Sequence, residues 1–460
     1  MSTTRPGGVG NREALLSHGA VELRAAVLDV VEAGLAACDP GDAVERLVAR
    51  DGDVVTVDGV PYQAGGGRVI VLGAGKATLS VAAALERTIG MRIDAGLIVV
   101  PHGSGATLSR IEVVEADHPL PSEASLAAAG RLLHTARGVR PDDLVLCCFT
   151  GGSSALASMP AHGVTLAEKR DLHRLLLRSG AGIAEVNAVR KHVSELKGGR
   201  LARAMGAGRI VNLTVSDVPG DALDAITDPT VGDTTTAADA IGVLQAHGLW
   251  EAVAGSVRRH LGSPAAESPS LAGAAIQTVV LVHGETACTA MAARAADLGL
   301  RPIVLSTSLE GESREVGATL VNLGRESART GRPFAAPCML IGCGGETTVT
   351  IRNGAPFGAG GPNQEAALGA ALRLRGEPAI AAAFLDTDGA DGGSAAAGAL
   401  VDGQTAVRAA SAGIDLRAAL HDHASGSVLR ELDDLIVTGP TGTNVNDMFA
   451  IGVAEGGERR

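Results

Sequence analysis

One design recurs along this chain: a short apolar run, a turn bearing Gly, Asp or Asn, then a helix rich in Ala and Leu. RVIVLGAGKATLSVAAALE at 68–86 is the first copy and DLVLCCFTGGSSALAS at 143–158 repeats it. Further runs are AGLIVVPHG (95–103), IVNLTVSDVPGD (210–221), TVVLVHG (278–284), RPIVLS (301–306), CMLIGCGGETTVTI (338–351), AIAAAFLDTDGADG (379–392) and DLIVTGPTGTNVND (434–447). Continuous apolar runs suit strands buried on both faces, whereas a strand with one wet face alternates. The pattern predicts an α/β fold: two α/β domains with largely parallel sheets covered by helices. Ligands of such sheets gather at the carboxyl ends of strands, where these polar loops fall.

Residues 1–12 read as a polar, disordered tail. Val21, Leu23, Val27, Val30, Val31 and Leu35 recur at helical spacing and predict an amphipathic helix over 20–37. The Ser- and Pro-bearing segment 251–276 reads as a linker, between an N-terminal domain over 13–250 and a C-terminal one over 277–460.

Composition narrows the function. Of 460 residues, 46% are hydrophobic and only 2% aromatic, so the core is built from Ala, Val, Leu and Ile. Asp and Glu number 51 against 39 Lys and Arg, a net charge of −12. An acidic chain with so few stacking residues is a poor nucleic-acid binder, and an anionic substrate requires locally concentrated positive charge. No apolar run is long enough to span a membrane and no signal-peptide h-region opens the chain, so a cytoplasmic protein is expected. Cys147 and Cys148 lie in an apolar run and read as core thiols; Cys338 and Cys343 lack the His pair expected of a zinc site.

Four constellations could carry chemistry. Gly73-Ala74-Gly75-Lys76 follows a strand and opens a helix, where N–H groups attract phosphate. Thr78 stands where the dinucleotide fingerprint needs its third Gly, and Ala77 follows Lys76 where a P-loop needs Ser or Thr; a tight turn with a solvated Lys is the plain alternative. Thr150-Gly151-Gly152-Ser153-Ser154 nearly forms a nucleophile elbow, but Ala155 replaces its closing Gly, so anion binding by the loop is favoured. Arg190 and Lys197 belong to the densest basic stretch, and their spacing of seven would put them on one face if the helix continued. The alternative there is a solvated face. The fourth group is acidic or amide-rich: Asp217, Glu346, Asn363, Gln364, Asp386, Asp388, Asp391 and Asn444. The Asp run fails as an EF-hand at Ala390 and Ala397, but carboxylates at strand ends suit Mg²⁺, which needs only one or two.

VLGAGKA (71–77), DHPLPSEAS (117–125), NAVRKHVSELKGGRLA (187–202), LTVSDVPGD (213–221), GGETTV (344–349), NQE (363–365), DTDGADG (386–392) and TGPTGTNVND (438–447) together resemble the class II glycerate 2-kinases, in order over most of 20–450. The resemblance implies an active site in a cleft between two α/β domains. It implies ATP and Mg²⁺, a small anionic hydroxy acid as substrate, phosphorylation at the 2-hydroxyl of D-glycerate, and admits a homodimer. Under it Lys76 is the essential Lys that neutralises the transferring phosphoryl group, with Arg190 and Asp217 as further catalytic residues. The loops at Gly73, Gly75, Gly151, Gly152, Ser153 and Ser154, with Lys197, Asn363, Gln364 and Asn444, would hold substrate or phosphate. Glu346, Asp386 and Asp388 would hold the metal.

Three positions depart from the family pattern. Ser153 replaces a Gly, Asp228 replaces a Gly, and Pro362 stands where the family has an Arg thought to be catalytic. Pro supplies neither charge nor an N–H donor. A catalytically impaired ligand-binding relative therefore remains an alternative. A hydroxypyruvate reductase, a label used for some members, is disfavoured by the missing dinucleotide fingerprint.

Overall fold

The computed structural model describes residues 8–216, 229–351 and 357–455. These form two compact units: one comprises 40–216 and 229–281, the other 8–39, 282–351 and 357–455.

The first unit opens with an antiparallel meander of β1 (Val48–Asp51), β2 (Val54–Val57) and β3 (Val60–Gln63). Its main sheet holds β4 (Val69–Ala74), β5 (Ile93–Pro101), β6 (Glu112–Ala116), β7 (Leu144–Phe149), β8 (Arg209–Val215) and β9 (Ile276–Val282). Their order is β6-β5-β4-β7-β8-β9. β4 pairs in parallel with β5 and β7, and β5–β6 and β7–β8 are parallel too. Every residue of β4 and β7 is buried, Cys147 and Cys148 among them, as their apolar runs require. The helix Glu123–Arg137 begins in a capping box at Ser122, and Leu166–Arg178 in another at Thr165 with Glu168.

The segment read as a linker contains the helix Gly255–Leu261. Val253, Val257 and Leu261 recur four apart and are buried in a helical cluster with Val186, Val189 and Leu244. That spacing is an apolar helix face, which the neighbouring Ser and Pro residues obscure.

In the second unit the sheet order is β10 (Arg301–Ser306), β12 (Cys338–Gly345), β17 (Asp447–Val453), β14 (Ile380–Asp386), β15 (Gly398–Asp402) and β16 (Leu435–Ile436); β11 (Gly311–Glu312) and β13 (Thr347–Thr348) pair separately. Only β10–β12 is parallel within the six-stranded sheet; β12–β17, β17–β14, β14–β15 and β15–β16 are antiparallel. The expectation of largely parallel sheets therefore holds for the first unit and is corrected for the second. An antiparallel sheet also yields continuous apolar runs when both faces are covered. Here the helices Val21–Ala37, Gly284–Asp297, Ser313–Thr330 and Pro362–Leu374 belong to this unit. The first of them, expected with the N-terminal domain, packs so closely that a Cβ on Gly34 would lie 2.8 Å from Met291 Cγ. Helices 313–330 and 362–374 also touch at the backbone, since a Cβ on Gly317 would lie 2.0 Å from the Ala366 carbonyl oxygen.

Residues 8–12, expected in the disordered tail, are seated. Val9 N–H donates to Glu32 Oε1 at 2.9 Å, and Asn11 Nδ2 to the Leu435 carbonyl at 2.7 Å. Below them Arg24 is wholly buried, donating to Asp402 at 3.2 Å and Asp434 at 2.7 Å.

Candidate active site

In the parallel-sheet unit, two strand-end loops are laced together. Gly75 N–H donates to the Val99 carbonyl (3.1 Å), Lys76 N–H to the Gly151 carbonyl (2.9 Å) and Ala77 N–H to Thr150 Oγ1 (3.2 Å). These three N–H groups are therefore engaged within the chain, and Gly73 and Gly75 permit the close approach of the two loops. A Cβ on Gly73 would lie 2.4 Å from the Cys148 carbonyl, and one on Gly75 2.0 Å from Thr150 Oγ1. Gly75 also has φ +146°, a region favouring Gly.

The lacing fixes where Lys76 emerges. Gly152 is left-handed at φ +87°, and a Cβ there would meet His118 Cδ2 at 3.2 Å and Lys76 Cγ at 3.4 Å. Lys76, Gly152 and His118 thus converge at the carboxyl ends of β4, β7 and β6, the ligand end of a parallel sheet. His118 was not singled out from the sequence, although it lies in the DHPLPSEAS segment. Ser153 and Ser154 start the single turn Ser153–Leu156, and Ser153 N–H bonds back to the Thr150 carbonyl.

Arg190 lies on the helix Ile183–His192 and donates to Asn187 Oδ1 at 3.3 Å. That helix ends before Lys197, so the two do not share a helix face. Ser194 Oγ accepts from the N–H groups of Leu196 and Lys197, turning the chain, and the left-handed Gly198 and Gly199 complete the turn. Lys197 is buried there. Asp217 and Asp228 lie outside the described residues.

The mixed-sheet unit gathers carboxylates. Asp447 Oδ2 accepts from Thr347 N–H (2.8 Å) and hydroxyl (3.0 Å), while its Oδ1 accepts from Asn363 Nδ2 at 2.6 Å. Asn363 Nδ2 also donates to Asp391 Oδ1 (3.3 Å), so its amide serves carboxylates. Asp391 caps the helix Pro362–Leu374, accepting from the N–H groups of Asn363 (3.0 Å) and Gln364 (2.9 Å). Gln364 Nε2 donates to Ser394 Oγ at 3.1 Å. Asp386 accepts from Asp388 N–H at 2.9 Å. Burial, and then the charge of Asp388, push the Asp386 carboxyl up to about 8; burial pushes Asp391 up to about 7 and raises Asp447, against the N–H bonds they accept. Asn444 Oδ1 accepts from Asn446 N–H (3.1 Å), and the Asn446 carbonyl accepts from Thr387 Oγ1 (2.8 Å), tying the 438–446 loop to β14.

Glu346 is exposed between β12 and β13, and no three His, Cys, Asp or Glu side chains form a ready-made metal cage among the described residues. Mg²⁺ requires less: one or two carboxylates, the rest water and substrate oxygens. Asp386 and Asp388 are the pair that could supply them, since their mutual repulsion is what a cation relieves. Pro362 is the first residue of its helix, where its fixed φ fits and the missing N–H costs nothing. It lines a cavity of about 540 Å³ with Glu365, His423 and Arg430.

Comparison with known proteins decides the family. A glycerate 2-kinase of Pyrococcus horikoshii is 39% identical over 434 residues, 93% of this chain and 97% of that one. The chain belongs to the glycerate 2-kinase family. Two family descriptions match the chain: "Domain of unknown function (DUF4147)" over residues 26–262 and "MOFRL family" over residues 338–447. The crystal structure of a glycerate kinase from Thermotoga maritima superposes with a TM-score of 0.81 at 33% identity, covering 94% of this chain and 100% of that one. An Agrobacterium vitis protein under a provisional hydroxypyruvate reductase name is 40% identical over 88% of this chain and 91% of its own. Lys76, the Gly152 loop and the Asp386–Asp388 turn are thus features of a glycerate 2-kinase chain.

Proposed function

We propose that this protein is an ATP-dependent kinase phosphorylating the 2-hydroxyl of D-glycerate or a related small hydroxy acid, with Mg²⁺, in the cytoplasm. The observation that carries the proposal is Lys76, held over Gly152 beside His118 at the ligand end of a parallel sheet, in a chain that aligns over 93% of its length with a glycerate 2-kinase.

In the reaction, the substrate hydroxyl oxygen bonds to the γ-phosphorus as the bond to the ADP oxygen breaks, and the hydroxyl proton is released. Little covalent chemistry falls to the protein, so positioning and charge decide the rate. Lys76 lies against the charge spread over the transferring group. The 150–154 loop and Arg190 bind and orient anionic groups. Asp386 and Asp388 would hold Mg²⁺, which supplies charge neutralisation when bound. Asp386 and Asp217 are the candidates to receive the hydroxyl proton, and Asn363 holds Asp447 and Asp391 through its amide.

A coupled assay of ADP release over a panel of hydroxy acids tests the proposal. Turnover highest on D-glycerate or a close analogue supports it; folded protein with Mg²⁺ and no turnover on any acid overturns it. Pro362 favours the second reading, a ligand-binding relative, which predicts thermal stabilisation by a hydroxy acid without phosphorylation. Hydroxypyruvate reduction ranks below both, and its sign would be NAD(P)H oxidation.

A further inference from the structure

A small cavity in the parallel-sheet unit combines positive charge with an unsatisfied donor. It is lined by Ser154, Ser158, Lys169, His173 and Arg190, against Pro119. Ser154 and Pro119 lie two and one residues beyond Gly152 and His118, so the cavity adjoins the Lys76 loop. Water-sized centres have about 40 Å³ of room, a few times the requirement of one water and enough for a small headgroup.

The wall chemistry suits an anion. Lys169 Nζ donates to the Met159 carbonyl at 3.1 Å, and Arg190 donates to Asn187; neither has an ion pair among the described residues. Ser158 is 1% exposed and its Oγ has no hydrogen-bond partner among the described residues. A buried hydroxyl without a partner is costly and points to a missing ligand. The charge of Glu195 favours the Lys169 ammonium, but the two form no ion pair among the described residues. Arg170 donates to the Pro121 carbonyl at 2.5 Å, and Glu195 accepts from His162 N–H at 2.9 Å. Burial, then the Arg190 charge, holds the Lys169 ammonium down to about 7; burial, then Arg190 and Lys169, holds His173 down to about 4. Cationic groups crowded to this degree gain when a carboxylate enters.

We propose that this cavity binds the carboxylate of the small hydroxy acid, with Lys169, Arg190 and Ser158 as its donors and His173 as part of its wall. The identity of the acid rests on the kinase proposed above; the carboxylate site itself does not. The cavity is too small for a nucleotide, so its donors set the acid affinity and leave ATP untouched.

The test compares wild type with Lys169→Met, Lys169→Arg and Ser158→Ala. Lys169→Met should raise the KM for D-glycerate about tenfold or more with the ATP KM unchanged, as for loss of a charge-assisted hydrogen bond. Ser158→Ala should raise it about threefold, and Lys169→Arg should restore most of the loss. Lys169→Met should also lose the preference for D-glycerate over its neutral amide. Thermal shifts with D-glycerate alone, without nucleotide, read the site even if no acid is phosphorylated: wild type should be stabilised and Lys169→Met not. If Lys169→Met fails to fold by circular dichroism, Ser158→Ala and Lys169→Arg carry the test. Equal shifts in wild type and variants, a change in the ATP KM instead, or equal stabilisation by inorganic phosphate would overturn it.

Discussion

The two units bear opposite uncompensated charge. In the parallel-sheet unit Lys169 and Arg190 line a cavity with no ion-pair partner among the described residues, whereas in the mixed-sheet unit the buried Asp391 and the half-buried Asp386 and Asp447 have no cation in ion-pair reach among the described residues. The same mixed-sheet unit shows the alternative: Asp402 and Asp434 are buried too, but Arg24 satisfies both. Buried charge is costly unless paired, so paired carboxylates belong to the scaffold and unpaired ones mark a site. Phosphoryl transfer needs both kinds of charge: donors for phosphate and carboxylate, and carboxylates for a metal or a proton.

The largest effect should come from the cation-bearing side. Lys76→Met should cut kcat about a thousandfold with little change in Tm, because Lys76 acts on charge developed in the transition state. Arg24→Met should do the reverse. It should cost about 3–5 kcal/mol in urea unfolding, since Asp402 is left buried without its cation and Asp434 keeps only Arg408, with kcat of the folded fraction unchanged. If Arg24→Met lowers kcat while sparing stability, the division between scaffold charge and site charge fails.

A third effect is intermediate. Mg²⁺ at about a hundred times its dissociation constant should stabilise the protein by about 2.7 kcal/mol, seen as a rise in Tm, and Asp386→Asn should abolish that rise. Pro362→Arg should raise kcat on D-glycerate about tenfold, because the helix start accepts Arg and a cation is restored there.

The smallest effect concerns Asp143, which belongs to the scaffold of the parallel-sheet unit. Burial pushes its carboxyl up, but hydrogen bonds from the Arg68 guanidinium and the N–H groups of Arg68 and Arg140 win, holding it at about 2. Its folded value lies below the ordinary one, so its contribution is present above about pH 4 and lost as pH falls toward 2. Asp143→Asn should flatten that acid limb of the stability curve.

Much of the parallel-sheet unit is legible in the chain. β4 and β7 are continuous apolar runs, and each ends in the loop the runs foretell. The mixed-sheet unit is legible only as strands, because full burial erases the alternation that would distinguish antiparallel pairing. At the site, Lys76 is recognisable but the use of its glycines is not: the contact between Gly75 and Thr150 appears only once β4 and β7 lie side by side. Lys169 and His173 sit in EKRDLHRLLLR, a stretch that carries no motif in the sequence. Only the packed chain brings them against Ser158 and Arg190. His118 likewise gains meaning only from Gly152 beside it.

The most direct test is the position of the transferred phosphorus. Wild-type protein incubated with ATP, Mg²⁺ and D-glycerate, followed by phosphorus NMR, should yield 2-phosphoglycerate in step with ADP, and Lys76→Met should yield neither above background. Formation of 3-phosphoglycerate, ADP without a phosphorylated acid, or undiminished product from Lys76→Met would contradict the account.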